Sequence, residues 1–284
     1  MSGERWFEET LHDDVRVSFR ADEVLHEEKS AHQHLALIRN PTFGEVLLLD
    51  EVTQVTARDE FIYHEMLAHV PLFAHGAARE VLIVGGGDGG LAEEVLKHPG
   101  VERVTLVEID GAVIDFAKTH FAQMSRAAFA DPRLDVVIAD GRTFAARTER
   151  RFDAILIDST DPIGPGAVLF TAEFYRDLDR VLNPGGVVAT QNGVPFLQPG
   201  EFQMGLGNLK RVFADATCYV IAVPTYFGGH MTLGFAGKPA PRPDLATLDA
   251  RVAAAGMDTR YYTPEVHQAA FALPRFIRDL LPAG

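Results

Sequence analysis

The sequence has very little cysteine and no long apolar run. Cys218 is the only cysteine among 284 residues, which excludes an intramolecular disulfide and a cysteine-rich metal site. No window approaches the roughly 18 apolar residues of a membrane-spanning helix. The N-terminal stretch MSGERWFEETLHDD is too polar and acidic for a secretory signal peptide. We therefore expect a cytoplasmic protein with no membrane partner.

Basic charge is also scarce. The chain has 26 Lys and Arg residues against 40 Asp and Glu residues, a formal net charge of −14 with His counted as neutral. A nucleic-acid-binding protein needs a basic surface to displace counterions, so no nucleic-acid partner is expected. The charge fits small or cationic partners, although solubility alone also accounts for it.

Several catalytic signatures are absent. The chain contains no GxxxxGK[ST] phosphate loop, no GxSxG nucleophile elbow and no HExxH zinc motif. These absences argue against a P-loop enzyme, a serine hydrolase of this type and a zinc peptidase, and we expect no metal. With 47% apolar and 23% charged residues, the composition is that of an ordinary globular protein.

The N-terminal part has the pattern of β-strands. Three segments have either alternating apolar and polar residues or consecutive apolar residues: VRVSF (15–19), HLALI (34–38) and EVLLLD (45–50). The last two flank the turn sequence RNPTFG. These segments predict a hairpin or small sheet. We expect a small β domain over residues 1–57 and a larger domain over residues 58–284.

The larger domain has a different rhythm. Residues 59–70 have helical spacing, with Asp59 positioned to cap the helix and Pro71 expected to end it. After this helix, continuous apolar strands alternate with helices, which predicts a doubly wound α/β sheet covered on both faces. Ligands of such sheets bind beyond the carboxyl ends of the strands, so the residues there are the candidate site.

Three strand ends suit a nucleoside. The loop Gly85–Gly90 matches G-x-G-x-x-G between a strand and a helix, although a purely structural turn is the alternative. Asp88 in this loop would repel a phosphate and favour a cation. Glu108 has the spacing of an acid that reaches ribose hydroxyls, or it simply begins the next loop. Asp140 would read an adenine edge or cap the following helix.

A fourth strand ends in the sequence DSTDPIGPG, residues 158–166. It brings two carboxylates, Asp158 and Asp161, to the mouth of the predicted cleft, unless the segment is only a solvated loop with a helix cap. A cationic substrate is the simplest interpretation of so many acids at the strand ends. A divalent metal is the rival, and neutral solvated loops are the third possibility. The five acids are Asp88, Glu108, Asp140, Asp158 and Asp161.

With these motifs the chain closely resembles spermidine synthases (polyamine aminopropyltransferases) along nearly its whole length. A generic methyltransferase would share only the sheet and the VEID-like acid. The matching stretches are ETLHDD, HEEKSAHQHL, DEFIYHEMLAHVPL, LIVGGGDGG, VEID, DSTDPIGPG, LFTAEFYRDL, LNPGG, QNGVPFLQ, PTYFGGHMT and HQAAFALP.

The resemblance implies an α/β fold with a Rossmann-like, class I methyltransferase-type doubly wound sheet and a small N-terminal β domain. It implies transfer of an aminopropyl group from decarboxylated S-adenosylmethionine to putrescine, which yields spermidine and 5′-methylthioadenosine. The donor is then a co-substrate, and no separate cofactor is expected. The family also implies a homodimer or homotetramer.

Residue roles carry over by motif. The catalytic set is Asp158, Asp161 and Tyr63, with Asp158 as proton acceptor and its pKa raised by burial and by Asp161. The amine-binding set is His64, Asp88, Asp158, Asp161, Gln191 and Tyr226, with Tyr63 and His64 as walls of the amine site. The nucleoside-binding set is Gln33, Gln54, Gly85, Gly87, Glu108, Asp140, Gly141 and Pro165.

Three other functions compete with this one. The first is an S-adenosylmethionine-dependent methyltransferase acting on putrescine or another small amine. The second is a non-catalytic polyamine-binding protein, against which the pair Asp158 and Asp161 argues. The third is a nicotinamide dehydrogenase, which Asp88 in the glycine loop disfavours.

Overall fold

The computed structural model describes residues 5–282, without the side chains of residues 10, 122–124 and 165. The nucleoside-side prediction for Pro165 therefore lies outside the described residues. Among the residues described, no helix combines the length and the apolar character needed to cross a bilayer.

The N-terminal part forms two antiparallel sheets rather than one. The first two strands pair as a hairpin, and the next four form a sheet in chain order. The predicted segments at 15–19, 34–38 and 45–50 fall in the second, fourth and fifth strands, so this part of the prediction is confirmed. The strands are β1 (Arg5–His12), β2 (Val15–Ala21), β3 (Glu23–Lys29), β4 (His34–Asn40), β5 (Gly44–Leu49) and β6 (Val52–Thr56).

The rest of the chain is built on seven strands: β7 (Glu80–Gly85), β8 (Arg103–Glu108), β9 (Leu134–Ile138), β10 (Phe152–Asp158), β11 (Leu182–Gln191), β12 (Thr217–Ile221) and β13 (Met231–Gly237). They form one sheet in the order β12-β13-β11-β10-β7-β8-β9. Neighbouring strands are parallel, except that β13 is antiparallel to both β11 and β12. Chain order reverses between β7 and β10, which creates the crevice where doubly wound sheets bind ligands.

Helices cover both faces of this sheet, as its nearly unbroken apolar strands require. The helices are α1 (Glu60–His75), α2 (Gly90–Leu96), α3 (Gly111–His120), α4 (Ala122–Ala130), α5 (Gly141–Arg147), α6 (Ala172–Val181), α7 (Pro199–Lys210), α8 (Leu245–Ala255), α9 (Pro264–Ala270) and α10 (Arg275–Leu280), with a 3₁₀ helix at Gly164–Phe170. One buried cluster packs α1, α2 and α8 against one face, and a second packs α6 and α7 against the other.

The first helix is longer than the sequence predicts. It continues through Pro71 to His75 and ends at Gly76, whose N–H bonds the Leu72 carbonyl in a left-handed cap. The predicted end at Pro71 is wrong because the helix is buried along nearly its whole length, and this packing outweighs one lost hydrogen bond. Asp59 lies at the N-cap position without a side-chain cap bond.

Candidate active site

A cavity of about 210 Å³ opens at the carboxyl ends of β7, β8, β10 and β11. Its floor comes from the sheet, and part of its wall comes from β1 and the loops of the N-terminal sheets. The structure brings nearly all of the predicted site residues to this one cavity. Those lining it are Gln33, Gln54, Tyr63, Gly85, Gly87, Asp88, Glu108, Asp140, Gly141, Asp158, Asp161, Gln191 and Tyr226.

The glycine loop lies directly against the neighbouring strand end. Gly85 has a left-handed φ of 82°, and a Cβ there would lie 2.0 Å from the backbone oxygen of Asp158. A Cβ on Gly87 would lie 2.9 Å from Oε2 of Glu108. The two glycines therefore permit the close approach of three strand ends, which any larger residue would force apart.

Substitution of Gly85 by Ala is expected to lower the free energy of unfolding by more than about 2 kcal/mol. The left-handed backbone alone costs about 1–2 kcal/mol for a residue with a Cβ, and the contact with Asp158 adds to it. Urea denaturation measures the change. Gly200→Ala is the matched control because a Cβ at Gly200 meets nothing within 4 Å. Equal stability of both variants would contradict the close packing described.

Glu108 ends β8 with its side chain buried. Its Oε1 accepts the backbone N–H of Asp110 at 2.9 Å. Burial raises the pKa of Glu108 to about 7, although backbone hydrogen bonds from Asp110 and Ile109 oppose the shift. Asp110 also accepts Ser30 Oγ at 2.6 Å and Gln33 Nε2 at 3.2 Å. Gln33 is thus placed beside the predicted ribose position, and Asp110 is a partner that the sequence did not single out.

Two predicted nucleoside residues have structural roles as well. Asp140 accepts the Thr143 N–H at 2.6 Å and caps α5, which confirms the capping alternative without testing the adenine contact. A Cβ on Gly141 would lie 2.4 Å from Val84 Cγ1, so α5 begins tight against β7. Gln54 donates from its side chain to the Val52 carbonyl at 3.1 Å.

Asp158 has one satisfied and one unsatisfied oxygen. Its Oδ1 accepts the hydroxyl of Tyr63 at 2.8 Å, whereas its Oδ2 is buried with no hydrogen-bond partner among the residues described. Burial raises the pKa of Asp158 to about 6, with the charge of Asp88 as the next cause, while His64 and Tyr63 oppose the shift. A buried carboxylate oxygen without a donor has a strong tendency to bind one.

The prediction that Asp161 raises the pKa of Asp158 is wrong. Asp161 is directed elsewhere, since its Oδ1 accepts the side-chain amides of Gln198 at 2.9 Å and Gln191 at 3.5 Å. Burial raises the pKa of Asp161 too, and these two amides oppose the shift. Gln198 lies seven positions after Gln191 in the matched stretch QNGVPFLQ, which was the available signal for it.

Two tyrosines enclose Asp158. The rings of Tyr63 and Tyr226 meet edge to face with centroids 5.7 Å apart, and Tyr226 donates its hydroxyl to the Gln54 carbonyl at 2.6 Å. Burial raises the pKa of both phenols well above 10, and the charge of Asp158 adds to this. Both phenols therefore stay neutral, so Tyr63 orients Asp158 as a hydrogen-bond donor and does not act as a base.

Asp88 faces Asp158 from the glycine loop. Its Oδ1 accepts the Gly90 N–H at 2.8 Å, and its Oδ2 lies 3.8 Å from Nε2 of His64. His64 is behind Asp88 and does not line the cavity, so its predicted position as a wall is corrected. Burial lowers the pKa of His64, but Asp88, Glu60 and Asp158 together raise it to about 10.

His64, Asp88 and Asp158 lie close together. One polar atom each of His64, Asp88 and Asp158 lies within 4.8 Å of the other two. With His64 protonated, two carboxylates stand against one imidazolium, and the excess negative charge attracts a further cation. A protonated imidazole has no free lone pair for a metal ion, so an ammonium group fits better than a divalent ion.

The hairpin contributes residues for which no role was predicted. Glu9, Leu11 and His12 of β1 line the cavity, and Glu9 is fixed by the Thr53 N–H at 2.9 Å from its Oε2. The stretch ETLHDD contains them, but nothing in its spacing indicates that a terminal hairpin folds over the end of a distant sheet.

Comparisons with known proteins agree with this site. A family model described as spermine/spermidine synthase domain matches residues 60–244, and one described as spermidine synthase tetramerisation domain matches residues 5–57. The polyamine aminopropyltransferase of Ruegeria sp. (strain TM1040) is 53% identical over 284 residues, covering 99% of this chain and 100% of the relative. Polyamine aminopropyltransferase 1 of Pseudomonas aeruginosa is 51% identical over 273 residues, covering 95% of this chain and 96% of the relative.

Solved structures give the same result. A crystal structure of spermidine synthase in complex with the transition-state analogue AdoDATO has a TM-score of 0.92 and 38% identity, covering 98% of this chain and 94% of that one. Spermidine synthase from Thermotoga maritima has a TM-score of 0.90 and 36% identity over the same shares. The predicted fold class is confirmed, and the chain belongs to the spermidine synthase (polyamine aminopropyltransferase) family of transferases.

Proposed function

We propose that this enzyme transfers the aminopropyl group of decarboxylated S-adenosylmethionine to putrescine. The products are spermidine and 5′-methylthioadenosine. The observation that carries the proposal is the pair of carboxylates, Asp88 and Asp158, that line the cavity, with Oδ2 of Asp158 buried and without a hydrogen-bond partner among the described residues. Such a pair of carboxylates has room for one more donor, and a substrate ammonium is the donor whose charge fits.

The cavity divides into two parts by chemistry. We assign the glycine loop, Glu108 and Asp140, which all line the cavity, to the nucleoside, with Glu108 as the acceptor of ribose hydroxyls. Asp88 and Asp158 lie beside them, where the aminopropyl chain and the acceptor amine would meet. The acidic part suits a donor and an acceptor that are both cations.

The chemical difficulty lies with the nucleophile. The donor carbon is bonded to a sulfonium, so the leaving methylthioadenosine is neutral and needs no acid. A primary amine with a pKa near that of Lys, about 10.4, is mostly protonated at neutral pH. Its free base costs roughly 4–5 kcal/mol at pH 7, which the site must offset.

Asp158 is positioned to remove this proton. The ammonium donates to its Oδ2, the proton moves to that oxygen, and the free amine attacks the carbon beside sulfur. The new N–C bond forms as the C–S bond breaks and its electron pair returns to sulfur. Asp158 then gives its proton to solvent. The pKa of Asp158, raised by burial to about 6, brings it closer to that of the amine and makes the transfer easier.

The pH profile follows from this role. At saturating donor, kcat/KM for putrescine should decrease as the pH falls through about 6, because protonated Asp158 cannot accept the proton. An ordinary aspartate would keep its activity to about pH 4. Initial rates between pH 5 and 9 at constant ionic strength measure the profile. Unchanged kcat/KM at pH 5 would contradict the assignment.

The acceptor is tested by a panel of amines. With decarboxylated donor in excess, we expect putrescine to have the highest kcat/KM among putrescine, cadaverine, agmatine and spermidine. A higher value for another amine would overturn putrescine as the acceptor but keep aminopropyl transfer. Reaction with intact S-adenosylmethionine and methylated amine as product would favour the methyltransferase.

We further propose that the chain acts as a homo-oligomer of two or four copies. The tetramerisation-domain match over residues 5–57 supports an oligomer.

A further inference from the structure

A partly buried glutamate lies behind the two carboxylates Asp88 and Asp158, in the first turn of α1. Glu60 Oε2 is 2.8 Å from Nδ1 of His64, one helical turn later. The side chain of Glu60 is 13% exposed and that of His64 only 2%. Neither side chain lines the cavity, so neither is placed to touch a substrate directly.

The imidazole ring is held in one position. On its other edge, Nε2 lies 3.8 Å from Asp88 Oδ2. A Cβ on Gly90 would lie 2.3 Å from Cε1 and 2.4 Å from Nδ1 of His64, so the ring packs directly on the Gly90 backbone. The Gly90 N–H in turn holds the other oxygen of Asp88. Glu60 is therefore connected to Asp88 through the His64 ring.

Negative groups surround the ring from three elements: Glu60 on α1, Asp88 before α2, and Asp158 at the end of β10. Glu93 on α2, whose Oε2 accepts the Ala128 N–H at 3.0 Å, lies close enough to Glu60 to feel its charge. Tyr63 beside the ring stays neutral, since its pKa is raised by burial. The carboxylates outweigh the burial of His64, and the imidazole is a cation at neutral pH.

The charge of this imidazolium affects the amine site, and Glu60 reduces that effect. An imidazolium with Asp88 as its main partner would cancel the charge that attracts an ammonium substrate. Glu60 is nearer to the ring than Asp88 is, 2.8 Å against 3.8 Å. Asp88 is the largest single charge acting on the ring, and Glu60 adds both a hydrogen bond and its own charge. Glu60 therefore balances part of the imidazolium that would otherwise fall on Asp88 alone, and Asp88 keeps more of its negative charge for the cavity.

We propose that Glu60 is a positioning residue for the amine site: it balances and orients the His64 imidazolium, so that Asp88 stays aligned and negatively charged toward the acceptor amine. The proposal deepens, and rests on, the proposed aminopropyl transfer to a cationic acceptor. Glu60 acts through His64, and His64 acts through Asp88, since neither Glu60 nor His64 lines the cavity.

The first test measures His64 directly by NMR of histidine-labelled protein. Glu60→Gln should lower the proton affinity of His64 at least about tenfold, while Glu149→Gln, an exposed loop residue, should leave it unchanged. Assignment uses the signal lost in His64→Gln. The same His64 titration in Glu60→Gln and wild-type protein would overturn the proposal, whatever the enzyme's substrate is.

The second test is kinetic. Glu60→Gln should raise KM for the amine about tenfold at pH 7, with a much smaller change in kcat and in donor KM. The ratio of the variant's amine KM to that of wild type should decrease toward pH 9. At that pH His64 of the variant loses its proton and no longer neutralises the charge of Asp88. A merely structural defect would lower kcat and thermal stability alike at every pH.

Two further experiments separate the effect of Glu60 on His64 from an effect of the substitution on folding. Gly90→Ala should displace the ring and raise the amine KM without changing any charge, with Gly200→Ala as the control. In a His64→Gln background, Glu60→Gln should add no further increase in amine KM. An undiminished increase in amine KM in that background would show that Glu60 does not act through His64, and would overturn the proposal. Absence of any aminopropyl transfer by wild type would instead refute the proposed function, which the NMR titration does not depend on.

Discussion

Replacement of Asp158 by Asn is expected to lower kcat by about 10²- to 10⁴-fold, the usual contribution of a general base. Asn has the same shape, and its carbonyl oxygen still accepts the Tyr63 hydroxyl that now lies 2.8 Å from Oδ1. It cannot take a proton from the ammonium at the position of Oδ2. The cost of deprotonating the amine, roughly 4–5 kcal/mol at pH 7, then returns to the barrier.

Nucleoside binding separates this chemical effect from misfolding. The dissociation constant of methylthioadenosine, measured by calorimetry, should stay within about threefold of wild type in Asp158→Asn. Asp249→Asn, on the exposed side of α8, is the matched control and should keep full turnover. Turnover of Asp158→Asn close to that of wild type would remove Asp158 from the role of base.

Replacement of Asp88 by Asn is expected to weaken the preference for the decarboxylated donor by about 10- to 100-fold. Intact S-adenosylmethionine has a carboxylate that the decarboxylated donor lacks, and Asp88 lines the cavity that both would enter. Two carboxylates about 8 Å apart at an effective dielectric constant of about 20 repel each other by about 2 kcal/mol. Asn removes this repulsion and keeps the acceptor for the Gly90 N–H.

The measurement compares dissociation constants of the two donors in wild type and variant. The affinity for intact S-adenosylmethionine should rise in Asp88→Asn, while that for the decarboxylated donor stays equal or falls. Asp249→Asn should leave the ratio unchanged. An unaltered ratio in Asp88→Asn would show that another group excludes the carboxylated donor.

The strand-end residues of the site were predictable because their spacing has a direct geometric consequence. Gly85, Glu108 and Asp158 each end a parallel strand, and parallel strands present their carboxyl ends at one edge of the sheet. The apolar strands and the glycine loop therefore indicate both the sheet and the position of the cavity. The acidity of these strand ends indicates a cationic ligand before any relative is considered.

Other features depend on contacts between distant parts of the chain. Glu9 reaches the cavity from a terminal hairpin, and no local pattern encodes that approach. The charge that raises the pKa of Asp158 comes from Asp88 rather than Asp161, because the Gln191 and Gln198 amides draw Asp161 away. Pro71 continues α1 because burial of the helix outweighs the local preference of proline.

Identification of the products tests the central claim most directly. Wild-type enzyme is incubated with putrescine and an equimolar mixture of decarboxylated and intact S-adenosylmethionine, and the products are quantified by liquid chromatography and mass spectrometry. We predict spermidine and 5′-methylthioadenosine in a 1:1 ratio, with intact S-adenosylmethionine unconsumed. Methylated putrescine together with S-adenosylhomocysteine would contradict aminopropyl transfer.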